Sequence, residues 1–115
     1  MSRLHSHQTP EMNECINACE DVHDACQRAV HDWLKKSGLY ASVQHIGILF
    51  DCAQMAHTAR DFMLRHSELH DVTCRACADI CEACARKCDA AEDSALAEIC
   101  RRCATLCRRP HGASA

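Results

Sequence analysis

The chain has 115 residues, of which 12 are cysteine, 3 glycine and 2 proline, and its formal net charge is −3 with neutral histidines. This length provides for one domain with a modest core, and so few turn-forming residues argue against an all-β sandwich. The negative charge and an aromatic content of 3% argue against nucleic acid as the main partner. Hydrophobic residues make up 48% of the chain, so we expect a folded protein.

Helix signals cover most of the chain and divide it into four segments of a single domain, residues 1–115. Thr9, Pro10 and Glu11 have the pattern of an N-cap, a proline at the first helical position and a first-turn acid. Ser67 and Glu68 are a similar capping signal for the third segment. Short connections make neighbouring helices antiparallel, so the predicted fold is all-α, an up-down-up-down four-helix bundle with a cysteine-lined core. The helices are predicted over residues 10–36, 41–66, 68–91 and 94–109.

The third predicted helix carries five cysteines at gaps of three and four residues: Cys74, Cys77, Cys81, Cys84 and Cys88. At about 100° per residue, these side chains fall within about 80° of the helix circumference and form one stripe. The other helices continue the spacing with Cys15, Cys19, Cys26, Cys52, Cys100, Cys103 and Cys107. Bundles ordinarily fill such positions with leucine and isoleucine, so we expect a core lined by sulfur. Cys52, alone on its helix, also fits a role in packing only.

The thiols are expected to stay reduced, because residues 1–12 lack the apolar stretch of a secretory signal and a cytoplasmic location follows. The longest uncharged run, residues 37–50, is shorter than the about 20 apolar residues of a membrane span, so no membrane partner is expected. Twelve reduced thiols indicate a soft metal.

Geometry favours Cu(I) among the soft metals. Cysteines four residues apart on a helix, such as Cys15 and Cys19, can hold one ion between two thiolates, and Cu(I) accepts two such ligands. Zinc prefers closed tetrahedral sites, and ferredoxin clusters use a cysteine-rich loop with a proline. Each Cu(I) also replaces a thiol proton, so the charge of the core stays unchanged. We therefore expect several Cu(I) ions per chain, with a redox protein (an iron–sulfur carrier or a thiol/disulfide switch) and a zinc–thiolate buffer as alternatives.

An enzyme is not expected, because a catalytic cysteine is normally single and sits near an activating cation. Five potential soft-metal ligands lie beside the cysteine positions: Met12, Met55, Met63, His66 and His70. Met55 and Met63 are candidates for metal access or for core filling. His66 and His70 are candidates for metal access or for exposed helix ends. Trp33 is expected to close the other end of the core. The remaining histidines are expected at the surface: His5, His7, His23, His31, His45, His57 and His111.

Two further expectations concern packing. Apolar residues should flank the sulfur positions and let the bundle fold without metal: Ile16, Val30, Leu34, Ile48, Leu49, Ile80, Ile99 and Leu106. If the antiparallel helix ends align, one cysteine from each helix should lie at a common height: Cys26, Cys52, Cys84 and Cys103.

The pattern Cys74-x2-Cys77-x3-Cys81-x2-Cys84-x3-Cys88, followed by Cys100-x2-Cys103-x3-Cys107, resembles that of the cysteine-rich four-helix-bundle copper storage proteins, once labelled ferredoxin-like. The resemblance extends from about Glu14 to Arg109. It implies Cu(I) storage along the bundle axis by the twelve cysteines, a bacterial cytosolic setting and a tetramer. A copper chaperone or glutathione is the expected copper donor. The single cysteine on the second helix departs from the family pattern and implies a lower capacity.

Overall fold

Four α-helices account for most of the protein in its computed structural model, which describes residues 8–36 and 38–110. They are α1 (Pro10–Lys35), α2 (Val43–Leu64), α3 (His70–Ala90) and α4 (Ser94–Arg108), and a 3-10 helix, Gly38–Ala41, lies between α1 and α2. The described residues contain no strand, so the predicted all-α class is confirmed. Residues 1–7, 37 and 111–115 of the expected domain, including His5, His7 and His111, lie outside the described residues.

Side-chain caps begin three of the helices. The hydroxyl oxygen of Thr9 accepts a hydrogen bond from the backbone N–H of Met12 at 3.1 Å, which confirms the predicted N-cap of α1. Ser42 and Asp93 cap α2 and α4 in the same way. Each cap satisfies one of the backbone donors that a helix leaves unpaired at its first turn.

The start of α3 differs from the prediction. The helix begins at His70, not at residue 68, and its N-cap residue, Leu69, makes no side-chain capping hydrogen bond. The hydroxyl of Ser67 instead accepts a hydrogen bond from the N–H of Leu69 at 3.1 Å. Ser67 therefore stabilises the turn between α2 and α3, because its side chain satisfies a donor two residues later and not one in the first helical turn.

Two connections are tight turns with a residue in the left-handed backbone region. His66 has a φ of 53° and Glu92 a φ of 59°. After α3, the N–H of Asp93 donates to the carbonyl of Cys88 at 2.8 Å, and the N–H of Glu92 donates to that of Asp89 at 3.0 Å. This pair of bonds is the Schellman motif, and the turn after α2 has the same pattern. The short turns fix the register of α3 against its neighbours.

The helices run antiparallel around the bundle. Between α1 and α4, Cys15 Sγ lies 3.3 Å from Cys107 Sγ, and Cys19 Sγ lies 3.8 Å from Cys103 Sγ, so the numbering rises in one helix as it falls in the other. Each helix packs against the next in sequence, and α4 packs against α1 to close the bundle. The pairs Asp79–Arg108 and Asp89–Arg101 show the same antiparallel register between α3 and α4. Glu20 and Arg60 form an ion pair between α1 and α2. None of the described helices combines the length and apolar content required to cross a bilayer.

The core consists mainly of cysteine and alanine, with few large side chains. Ile16, Leu49 and Leu106 are buried as predicted, and four of the expected flanking residues pack against the core while partly exposed: Val30, Ile48, Ile80 and Ile99. The prediction for Leu34 was wrong, because this side chain is 55% exposed. In this turn of α1, Trp33 points into the core and is fully buried. Leu34, the next residue, points about 100° away around the helix and therefore toward solvent.

Replacing the left-handed Glu92 by glycine should stabilise the metal-free protein. We expect Glu92→Gly to raise the free energy of unfolding by about 1 kcal/mol, because glycine has no Cβ to clash at positive φ. The control is Glu98→Gly in the exposed face of α4, which should lower it by about 1 kcal/mol. Urea unfolding of the reduced protein measures both values, and shifts of the same sign would contradict the turn geometry.

Candidate metal centre

All twelve cysteines are free thiols inside the bundle. None is more than 4% exposed, and nine of the twelve are completely buried. Their positions follow from the three- and four-residue spacing, which keeps every cysteine on the inward face of its helix. The side chains therefore meet one another and not the solvent.

The sulfur atoms form three compact groups whose members all lie within 4.8 Å of one another. The three-sulfur cluster, near the N-terminus of α1, consists of Cys15, Cys74 and Cys107. The first four-sulfur cluster consists of Cys19, Cys77, Cys103 and Cys107. The second four-sulfur cluster consists of Cys26, Cys52, Cys84 and Cys100. Because the first two groups share Cys107, they are continuous.

The two remaining cysteines extend the groups into one array. Cys81 Sγ lies 3.8 Å from Cys52 Sγ and 3.9 Å from Cys77 Sγ, so it connects the two four-sulfur clusters. The thiol of Cys88 interacts with those of Cys84 and Cys100 and extends the second four-sulfur cluster toward the C-terminus of α3. The twelve thiols thus form a single sulfur array along the bundle.

The second four-sulfur cluster takes one cysteine from each helix, but its α4 member is Cys100 and not the predicted Cys103. The short turn between α3 and α4 sets this register and places Cys103 one turn away, in the first four-sulfur cluster. Cys52, for which the sequence left a packing role open, lies within the cluster. The first four-sulfur cluster has no α2 member, since α2 carries alanine at its inward positions beyond Cys52.

Hydrogen bonds among the thiols separate their pKa values. In the second four-sulfur cluster, donors from Cys26, Cys52 and Cys84 lower the pKa of Cys100 to about 5. The pKa of Cys26 is raised, first because its thiol is hydrogen-bonded to Cys100. In the first four-sulfur cluster, the pKa of Cys77 is lowered by bonds from Cys103, Cys107 and Cys19. Each four-sulfur cluster thus stabilises a thiolate, the form of cysteine that binds metals.

The end of the bundle near the three-sulfur cluster holds most of the candidate access residues. Met12 and Met63 are buried there, and His70 is 6% exposed, with its Nδ1–H donating to the carbonyl of Ser67 at 2.8 Å. His66 is exposed in the turn after α2. Met55 is separate from this end.

Met55 is half-buried on the outer side of the bundle. It lines a surface groove of about 370 Å³ together with Ile48 and Ile80. The groove lies between α2 and α3, so Met55 is placed beside the sulfur array and not at its end.

Trp33 closes the opposite end of the bundle, as predicted. Its indole N–H donates to Asp93 Oδ2 at 2.9 Å, and its ring centroid lies 5.8 Å from that of Tyr40 and 6.0 Å from that of His45. Asp93 also caps α4, so one carboxylate holds both the helix start and the indole. The core is therefore covered by aromatic side chains beyond Cys88.

The surface prediction for His45 was wrong, because this side chain is only 5% exposed. Its position four residues before Leu49 and seven before Cys52 places it on the inward stripe of α2, a signal that was present in the sequence. Burial, and then the positive charge of Lys87, lower the pKa of His45. His23, His31 and His57 are at least partly exposed, as predicted.

The ligand atoms of the array are all cysteine sulfurs, which are soft ligands. Cu(I) selects thiolate ligands and needs only two of them, so adjacent sulfur atoms throughout the array are suitable partners. Each four-sulfur cluster also has the ligand number of a structural zinc site. The array contains only two such clusters, and Cys81 and Cys88 belong to neither.

Comparisons with known proteins agree with this geometry. The family model described as copper storage protein matches residues 2–113. The Cu(I)-bound copper storage protein BsCsp3 is 32% identical over 85% of this chain and 95% of its own, with a TM-score of 0.79. The Nmul_A1745 protein from Nitrosospira multiformis is 32% identical over 85% of this chain and 92% of its own, with a TM-score of 0.78. Apo copper storage protein 3 from Bacillus subtilis is 35% identical over 82% of this chain and 91% of its own, with a TM-score of 0.68. No curated protein matches the chain.

The metal-free protein should keep thiolate at neutral pH. Because the pKa of Cys100 is lowered to about 5, we expect ultraviolet thiolate absorbance to persist at pH 7 and to decrease as the pH falls through about 5. The control is the same protein in denaturant, where the thiols should titrate near their ordinary pKa of about 8.5. Absence of thiolate absorbance in the folded protein at pH 7 would contradict the assigned hydrogen bonding.

Proposed function

Because the chain belongs to the copper storage protein family, we propose that it binds and stores several Cu(I) ions through its core cysteines. The resemblance found in the cysteine spacing is thereby confirmed. The observation that carries the proposal is the continuous sulfur array, in which each compact group adjoins the next. The proposed ligands are Cys15, Cys19, Cys26, Cys52, Cys74, Cys77, Cys81, Cys84, Cys88, Cys100, Cys103 and Cys107.

Charge balance supports a monovalent ion. A Cu(I) ion that binds a thiol displaces one proton, so an array loaded with about one ion per cysteine gains no net charge. Buried charge without a partner is strongly unfavourable, and divalent zinc at that density would accumulate positive charge in the core. Zinc would be confined to the two four-sulfur clusters, whereas Cu(I) can use every adjacent pair of sulfur atoms.

We propose that copper reaches the array at the end where the three-sulfur cluster lies. The exposed His66 and the buried Met63 and His70 offer imidazole and thioether ligands, which Cu(I) accepts before transfer to thiolates. Cys74 follows His70 by one helical turn and is the first thiolate along α3. Met55, in its groove between α2 and α3, is a candidate for a lateral contact only.

The cellular setting follows from the chemistry. Twelve free thiols at short distances require a reducing compartment, so we propose a cytoplasmic storage protein without enzymatic activity. Loading proceeds by ligand exchange from a copper chaperone or from glutathione, since exchange avoids free copper.

Exposed apolar side chains support a homo-oligomer, and we propose the tetramer that the family resemblance implies. The residues are Leu34, Val43, Phe50, Leu69 and Val72, and each is more than half exposed. A monomer that leaves several large apolar side chains in water gains free energy when a second copy covers them.

An anaerobic Cu(I) titration with a competing chelator tests the proposal. We expect the reduced protein to bind several Cu(I) ions per chain. Because the folded array holds its thiols close together, it should bind copper more tightly than the unfolded chain does, so the loaded protein should unfold at a higher temperature. A parallel zinc titration should reach a plateau of no more than two ions, one for each four-sulfur cluster. A plateau at one Cu(I) ion per chain or none would refute the proposal.

Comparison of two single variants tests whether the clusters are connected. Cys107 belongs to two compact groups and Cys74 to one, so Cys107→Ser should lower the Cu(I) plateau more than Cys74→Ser does. Circular dichroism of both metal-free variants checks that the helices are retained. Equal plateaus for the two variants would show that Cys107 does not serve both groups.

A further inference from the structure

The buried histidine of α2 has an unused nitrogen. His45 Nδ1 lies 2.9 Å from the hydroxyl oxygen of Ser42, but Nε2 is shielded from solvent and has no hydrogen-bond partner among the described residues. A buried polar atom without a partner costs free energy of about 1–3 kcal/mol. Such an atom in a native structure calls for a physical reason, and a bound ion is one of the accepted reasons.

His45 lies at the end of the sulfur array. Its ring packs 6.0 Å from that of Trp33, whose indole donates to Asp93, and the backbone N–H of Asp93 donates to the carbonyl of Cys88. Lys87, the residue before Cys88 on α3, acts electrostatically on His45. His45 on α2 and Cys88 on α3 therefore face the same end of the core, beneath the Trp33 cover.

Cys88 is the last thiol of the sulfur array toward Trp33, and its sulfur neighbours all lie on one side. It belongs to none of the three compact groups, and the thiols that interact with it, Cys84 and Cys100, belong to the second four-sulfur cluster. A Cu(I) ion at Cys88 thus has sulfur available on one side only. An imidazole nitrogen is the other side-chain ligand that copper accepts readily.

We propose that His45 Nε2 and Cys88 Sγ form a mixed nitrogen–sulfur Cu(I) site that ends the array beneath Trp33. Binding forms one Cu–N and one Cu–S bond and releases the Cys88 thiol proton to solvent, with no change in oxidation state. Ser42 orients the ring through Nδ1, the arrangement in which metal-binding histidines are usually held. The inference rests on the proposed storage of Cu(I) and adds a nitrogen ligand to it.

Paired glutamine variants on α2 test this site. We expect His45→Gln to bind one Cu(I) fewer per chain than the unchanged protein at saturation, because an amide is a poor ligand for a soft ion. His57→Gln is the matched control: the same replacement on the same helix at an exposed position, with an unchanged plateau expected. Copper X-ray absorption of the loaded proteins should show a nitrogen ligand in the unchanged protein and in the control but not in His45→Gln.

Fluorescence provides a local readout, because Trp33 is the single tryptophan. Copper beside His45 should quench its emission in the unchanged protein and in His57→Gln, and this quenching should be lost in His45→Gln. His45→Met supplies a soft thioether and should restore the lost ion and the quenching without the nitrogen signal.

The outcomes separate the two proposals. An unchanged protein that takes up no copper would refute storage itself. Full loading of His45→Gln, with the nitrogen signal and the quenching retained, would refute the His45 site and leave storage by the cysteines intact.

Discussion

Contact between thiols is the interaction on which this structure depends. Sulfur atoms of different helices approach to 3.3–3.9 Å, which is van der Waals contact as well as weak hydrogen bonding. The same atoms therefore fill the core and serve as ligands. No separate cavity is needed for the metal, because the binding groups are the packing groups.

This double role constrains every helix. A cysteine displaced from the inward stripe would lose both its packing and its neighbours, so the spacing of three and four residues must be kept along the whole array. The tight turns contribute equally, since the left-handed Glu92 fixes which turn of α4 faces which turn of α3. At the end of the bundle beyond Cys88, the hydrogen bond from the Trp33 indole to Asp93 holds the aromatic cover in place.

Much of this could be predicted from the sequence, because helix caps and periodicity are local signals. The four helices, the inward cysteines and the cap at Thr9 required only neighbouring residues. The height of Cys100 depends on the geometry of the turn between α3 and α4, and position 92 holds a glutamate, so no glycine marks the left-handed conformation there. Residue type alone misplaces Leu34 and His45, because it predicts an inward apolar side chain and an outward histidine. The helical register places both correctly.

The uneven distribution of cysteines has a mechanical consequence. Copper bound along the array would cross-link α1, α3 and α4 at several heights, but it would hold α2 through Cys52, with His45 as a second attachment near the covered end. The alanine-lined remainder of α2, toward Met63, would stay attached by ordinary side-chain packing and by ion pairs such as Arg60 with Glu20. In a copper-loaded bundle, no metal–sulfur bond would hold this half of α2 to the other three helices, so its attachment would be no stronger than in the metal-free protein.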